Sequence, residues 1–78
     1  MDPLIKEIED EIVRAVEKYG PYASTLEGAR VLVQETAELM QAIENDDAEN
    51  LREEAIQVTA MGLRFLRQFT EEPQKKDT

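Results

Sequence analysis

Apolar residues recur at three- and four-residue spacing in three successive stretches of this chain, and that period belongs to one face of an α-helix. Leu4, Ile5, Ile8, Ile12, Ala15, Val16 and Tyr19 form the first stripe. Leu26, Ala29, Leu32, Val33, Thr36, Leu39, Met40 and Ile43 form the second, and Leu51, Ala55, Val58, Met61, Gly62, Phe65, Leu66 and Phe69 the third. No strand-like alternation and no internal repeat competes with this pattern, so the expected fold class is all-α with three helices.

The punctuation agrees with the periodicity. Asp2-Pro3 is a helix start, since Asp accepts a hydrogen bond from an otherwise unpaired N–H and Pro needs no donor in the first turn. Gly20-Pro21 closes the first helix near Tyr19. Ser24-Thr25-Leu26-Glu27 has the form of a capping box, which starts the second helix at Thr25. That helix runs to the polar break at Glu44-Asn45-Asp46, and Asp46 or Asp47 caps the third. A connection this short predicts that helices two and three lie antiparallel as a hairpin. Gly62 costs about 1 kcal/mol relative to Ala in a helix interior, which predicts a close approach there by a helix of this chain or of another subunit. Residues 1–70 are read as one domain, and residues 71–78, which offer no apolar face, as a flexible C-terminal tail.

With 78 residues and neither Cys nor His, the chain lacks the disulfides and ordinary zinc sites that reinforce small cores. Association, or a hard metal held by oxygens, remains. The width of the second and third stripes predicts a homo-oligomer, a dimer or a tetramer, with a four-helix-bundle core. Nine basic residues against 18 acidic ones give a formal charge of −9, which repels nucleic acid and anionic membrane surfaces. Neither a signal peptide nor a membrane span is evident, so a cytoplasmic location is expected.

The distribution of the acids is more informative than their number. Glu35 and Glu38 project about 60° apart on one edge of helix two, with Cβ atoms about 5–6 Å from each other. Both border the apolar stripe. Glu54 lies one turn after Leu51 and one before Val58, and Gln57 and Met61 continue its line. In an antiparallel hairpin this line faces Glu35 and Glu38, so three carboxylates and a carboxamide converge. Carboxylates that close need a counter-charge, and an oxygen-preferring divalent cation, Mg²⁺ or Mn²⁺, is the economical one. The plainer alternative pairs these acids on the surface with Arg30, Arg52 or lysines.

The order of Lys18-Tyr19-Gly20-Pro21, Glu35-x-x-Glu38 and Glu54 within the run 52–65 (REEAIQVTAMGLRF) resembles the MazG-like branch of the all-α nucleoside triphosphate pyrophosphohydrolases. The resemblance implies that Glu35, Glu38 and Glu54 are catalytic and, with Gln57, hold Mg²⁺. It further implies cleavage of a nucleoside triphosphate substrate to the monophosphate and pyrophosphate, in a helical dimer or higher assembly, with house-cleaning of non-standard nucleotides as a role. The family pattern is E-E-x-x-E followed by E-x-x-D. Gln34 stands at the first acid and Gln57 at the last, which lowers the charge available to a metal. A non-catalytic oligomeric module that binds a nucleotide or a protein is the alternative. Lys18, Arg30 and Arg64 are the cations available to phosphate; Tyr19 and Tyr22 can stack on a base or pack the first turn.

Overall fold

The computed structural model describes residues 2–70. They form three helices, α1 (Pro3–Tyr19), α2 (Thr25–Glu44) and α3 (Ala48–Phe69). The expected tail at 71–78 lies outside the described residues.

Each boundary follows from a short-range interaction. Asp2 accepts from the N–H of Leu4 at 2.9 Å. Gly20, at φ 75°, closes α1 by donating its N–H to the Val16 carbonyl. Ser24 accepts from the N–H of Glu27 at 3.1 Å, and the Glu27 carboxylate reaches back to the N–H of Ala23, one residue before the cap. Asp47 rather than Asp46 caps α3, accepting from Asn50 at 3.1 Å. Asp46 instead takes the left-handed conformation, φ 55°, which Asp tolerates better than most side chains and which turns the chain back within three residues.

α2 and α3 pack closely and antiparallel: Gly28 lies against Phe65, and Leu32 against Gly62. The close approach is at Gly28. A Cβ there would lie 2.7 Å from Phe65 Cδ2 and 3.1 Å from Tyr22 Cδ2, whereas one on Gly62 would meet only Leu32 Cδ2 at 4.0 Å. The expectation for Gly62 is thus not met within the chain. Phe65 fills the space at Gly28 and joins Phe69 and Tyr22 in an aromatic cluster with centroids 5.0–6.3 Å apart. Tyr22 is buried, donates its hydroxyl to the Met61 carbonyl at 3.0 Å, and exchanges two backbone hydrogen bonds with the Gln68 amide. It packs the turn between α1 and α2.

α1 lies across α3. Glu7 on one flank pairs with Arg52, and Glu9 on the other with Arg67, fifteen positions further along α3. Between these flanks Ile8, Ile12 and Ala15 bury against Ala60 and Met61, with Val31, Leu32, Ile56 and Leu63 around them. Much of the apolar pattern outside this core is solvent-exposed, including Leu26, Val33, Met40 and Ile43 of α2. α2 has one helical neighbour in the chain, α3, and one neighbour cannot cover a stripe that wide.

Substituting Gly28 by Ala adds about 1 kcal/mol of helix propensity but forces the Phe65 ring out of its cluster, at roughly 1–3 kcal/mol for an overpacked core. At the middle of that range the net effect expected is a loss of about 1 kcal/mol, read as a midpoint lowered by roughly 4–8 °C in thermal unfolding. An unchanged or raised midpoint would show that this contact does not limit the approach of α2 to α3.

Candidate metal centre

Because α2 and α3 run antiparallel in this register, Glu35 and Glu38 face Glu54. One carboxylate oxygen from each lies within 4.8 Å of the others. Glu35 and Glu54 are half-buried, and the Oε1 atom of each is buried with no hydrogen-bond partner. The alternative of ordinary surface pairing is not what the structure contains. Arg52 holds Glu7, and among the described residues no salt bridge reaches Glu35, Glu38 or Glu54.

The electrostatic consequence is definite. Two carboxylates at such a spacing repel by roughly 3 kcal/mol at an effective dielectric of about 20, more than an ordinary hydrogen bond contributes. Burial pushes the Glu35 carboxyl above the usual range, and the charges of Glu38, Glu54 and Glu11 push it further. Glu54 is raised by burial and then by the neighbouring Glu38. Each group is held in a site that disfavours its own ionised form.

A divalent cation relieves this strain directly. Mg²⁺ takes oxygens at about 2.0–2.1 Å, so ligand oxygens on one ion sit about 3–4 Å apart, and small side-chain rotations bring a 4.8 Å cluster to that spacing. The two unpartnered buried oxygens supply the lone pairs. Glu35, Glu38 and Glu54 therefore form a group that fits a hard cation.

Gln57 lines the same cleft, but its amide nitrogen donates to Glu11 Oε2 at 2.7 Å. It positions a carboxylate of α1. Glu11 also accepts from Arg14, and its side chain is only 12 % exposed. The sequence reading did not single out Glu11. Its signal was the one that marked Glu35: a carboxylate one turn from core residues, here Ile8 and Ala15. Gln34 lines the cleft from the exposed side of α2.

The cleft lies between α1 and α2 over α3 and measures about 510 Å³, within the range of small-molecule sites. Three carboxylates, Glu11, Glu27 and Glu35, and three cations, Arg14, Lys18 and Arg64, line it. Tyr19 is exposed at its edge, with the Lys18 ammonium 5.2 Å from its ring centre. No helix among the described residues is long and apolar enough to cross a membrane.

The raised carboxyls give a test of the cluster itself. A carboxyl whose pKa rises on folding binds its proton more tightly in the native state. Its stability contribution is complete below the unfolded value, near 4.5, and is lost as pH rises through the folded value. In chelator, Glu54→Gln, neutral at every pH, is expected to melt above the parent at pH 7. That gap should close towards pH 4. A gap independent of pH in paired melting curves would refute the clustering.

Comparison with protein-family models, with curated proteins and with solved structures gives no match to the chain, and the functional reading rests on these residues and their geometry.

Proposed function

We propose that this chain is a Mg²⁺-dependent nucleoside triphosphate pyrophosphohydrolase of the MazG-like kind, with Glu35, Glu38 and Glu54 at its centre. The observation that carries the reading is that Glu35 and Glu54 each bury a carboxylate oxygen without a hydrogen-bond partner, in a group with Glu38 in which one oxygen of each residue lies within 4.8 Å of the others. A buried carboxylate oxygen without a partner in the chain is a place where an ion can be taken up. Glu35, Glu38 and Glu54 would hold Mg²⁺ or Mn²⁺, which would supply Lewis-acid stabilisation of the charge that develops as the anhydride breaks. The carboxylates themselves hold the cation, and one of them orients or deprotonates the attacking water.

A non-catalytic relative is the second reading, and one observation favours it. The amide nitrogen of Gln57, at the position where the family has an acid, is bound to Glu11, so the centre has three charges where the pattern has more. Both readings include metal binding and differ in turnover.

The oligomeric bundle belongs to the same proposal. Leu26, Ala29, Val33, Thr36, Met40 and Ile43 alternate three- and four-residue intervals along α2, the spacing of a helix seam that packs on another helix. Leu26, Val33, Met40 and Ile43 are more than half exposed, and no large side chain among the described residues is fully buried. A second copy would cover this seam and complete a four-helix core. Gly62, which has no close neighbour within the chain, is then available to a subunit contact.

Mg²⁺ at a hundredfold excess over its dissociation constant is expected to add about 2.7 kcal/mol of stability. In a domain this small that is upward of about 10 °C, and it should vanish in Glu38→Gln and Glu54→Gln. Incubation with a panel of nucleoside triphosphates and Mg²⁺ is expected to release pyrophosphate. Metal binding without release above those variants would leave the non-catalytic reading, and an absent thermal shift would dispose of both.

Light scattering should return at least twice the chain mass at micromolar concentration, and Val33→Asp or Met40→Asp should lower it to one chain. A monomeric parent would exclude the bundle.

A further inference from the structure

Gln57 lies one turn beyond Glu54 on α3, which puts their Cβ atoms about 5–6 Å apart, and it shares the cleft with Glu35. It is neutral where the MazG-like pattern has an acid. One hydrogen bond decides how its amide is turned. The nitrogen donates to Glu11 Oε2 at 2.7 Å, and an ionised carboxylate can only accept, so the carbonyl end of the amide cannot be the one that faces Glu11. Among the described residues this is the one hydrogen bond of the Gln57 side chain, and its carbonyl oxygen keeps both lone pairs.

Glu11 is delivered to this point by the core. Ile8, Ile12 and Ala15 bury against Ala60 and Met61 of α3, which fixes the face of α1 that carries Glu11. Both of its oxygens are engaged, Oε2 by Gln57 and Oε1 by Arg14, and it is not a member of the group formed by Glu35, Glu38 and Glu54. Its charge nevertheless reaches that group: the Glu35 carboxyl, raised first by burial and then by Glu38 and Glu54, is raised by Glu11 as well. The hydrogen bond that holds Glu11 therefore also acts on the amide. A reversed amide would turn two N–H donors towards a cation and repel it. With the nitrogen on a carboxylate, the amide is polarised and its carbonyl oxygen becomes a better ligand for a hard ion.

We propose that Glu11 is a positioning residue of the metal centre, holding the Gln57 amide by its nitrogen so that the carbonyl oxygen is the end offered to a cation bound by Glu35, Glu38 and Glu54. The acid missing from position 57 thus stands on α1 and acts through the amide, as outer groups orient and strengthen metal ligands in general. This rests on the reading above in taking a divalent cation to bind that cluster, and it requires no turnover.

Calorimetric titration of the full chain with Mg²⁺ alone tests it. Glu11→Gln is nearly isosteric, but its amide can donate or accept, so the orientation of Gln57 is no longer forced and the affinity should fall by about tenfold or more. Gln57→Leu should lose a similar factor, and the double variant Glu11→Gln/Gln57→Leu no more than either alone, because the two residues act as one unit. A Glu11 that worked through its charge only would cost as much in the Gln57→Leu background as in the parent. The exchanged pair, Glu11→Gln with Gln57→Glu, restores the hydrogen bond with donor and acceptor swapped and should bind at least as tightly as the parent. Glu7→Gln, which removes a charge from α1 and its pair with Arg52, should bind as the parent does. Parent-like affinity in Glu11→Gln, fully additive losses, or an equal loss in Glu7→Gln overturns the positioning role and leaves the metal reading in place. Where Glu11→Gln fails to fold, the exchanged pair decides, and weaker binding than the parent's overturns the proposal. No measurable Mg²⁺ binding by the parent overturns both readings.

Discussion

The position of the acidic cluster depends on how closely α2 can approach α3, and one missing side chain permits that approach. At Gly28 the α2 backbone meets the Phe65 ring directly, in space a Cβ would need. Phe65 in turn leans on Phe69 and Tyr22, so the aromatic cluster and the glycine lock one end of the hairpin. The Asn45-Asp46-Asp47 turn closes the other end with a left-handed aspartate. With both ends fixed, the register between them has no slack. Glu35 and Glu38 must then meet Glu54 across the helix interface.

That register juxtaposes charges a soluble helix pair would ordinarily separate. Repulsion among these carboxylates counts against the stability of a domain this small. The fold tolerates it because the apolar contacts sit elsewhere, in Ile8, Ile12, Ala15, Ala60 and Met61, and because protonation can discharge part of it. Arginines are spent on the outer flanks of α1, where Glu7 and Glu9 are held by Arg52 and Arg67. Exposed pairs of that kind contribute little energy but they orient α1 across α3. The same cations placed one face over would have neutralised the cluster.

The helices were legible in the sequence because their signals are local. The Asp2-Pro3 start, the Gly20-Pro21 stop and the Ser24–Glu27 box each act within four residues, and the helix limits match. The convergence of Glu35, Glu38 and Glu54 was legible for a related reason: a three-residue connection leaves a hairpin few registers. What was not legible needed contacts distant in the chain. Gly28 and Gly62 look alike in sequence, and only the position of Phe65 separates them. Gln57 lies on the expected line, yet its partner is Glu11, 46 residues away. Tyr22, open to stacking on a ligand by sequence alone, is taken up by Met61, Gln68 and Arg64. Only exposed Tyr19 keeps that option.

Acidic and basic groups share one cleft: Glu11, Glu27 and Glu35 line it with Arg14, Lys18 and Arg64, and Arg14 is paired with Glu11. A lone acidic cluster is common on charged helices, and a lone buried arginine can simply anchor a turn, as Arg64 does for Gly20.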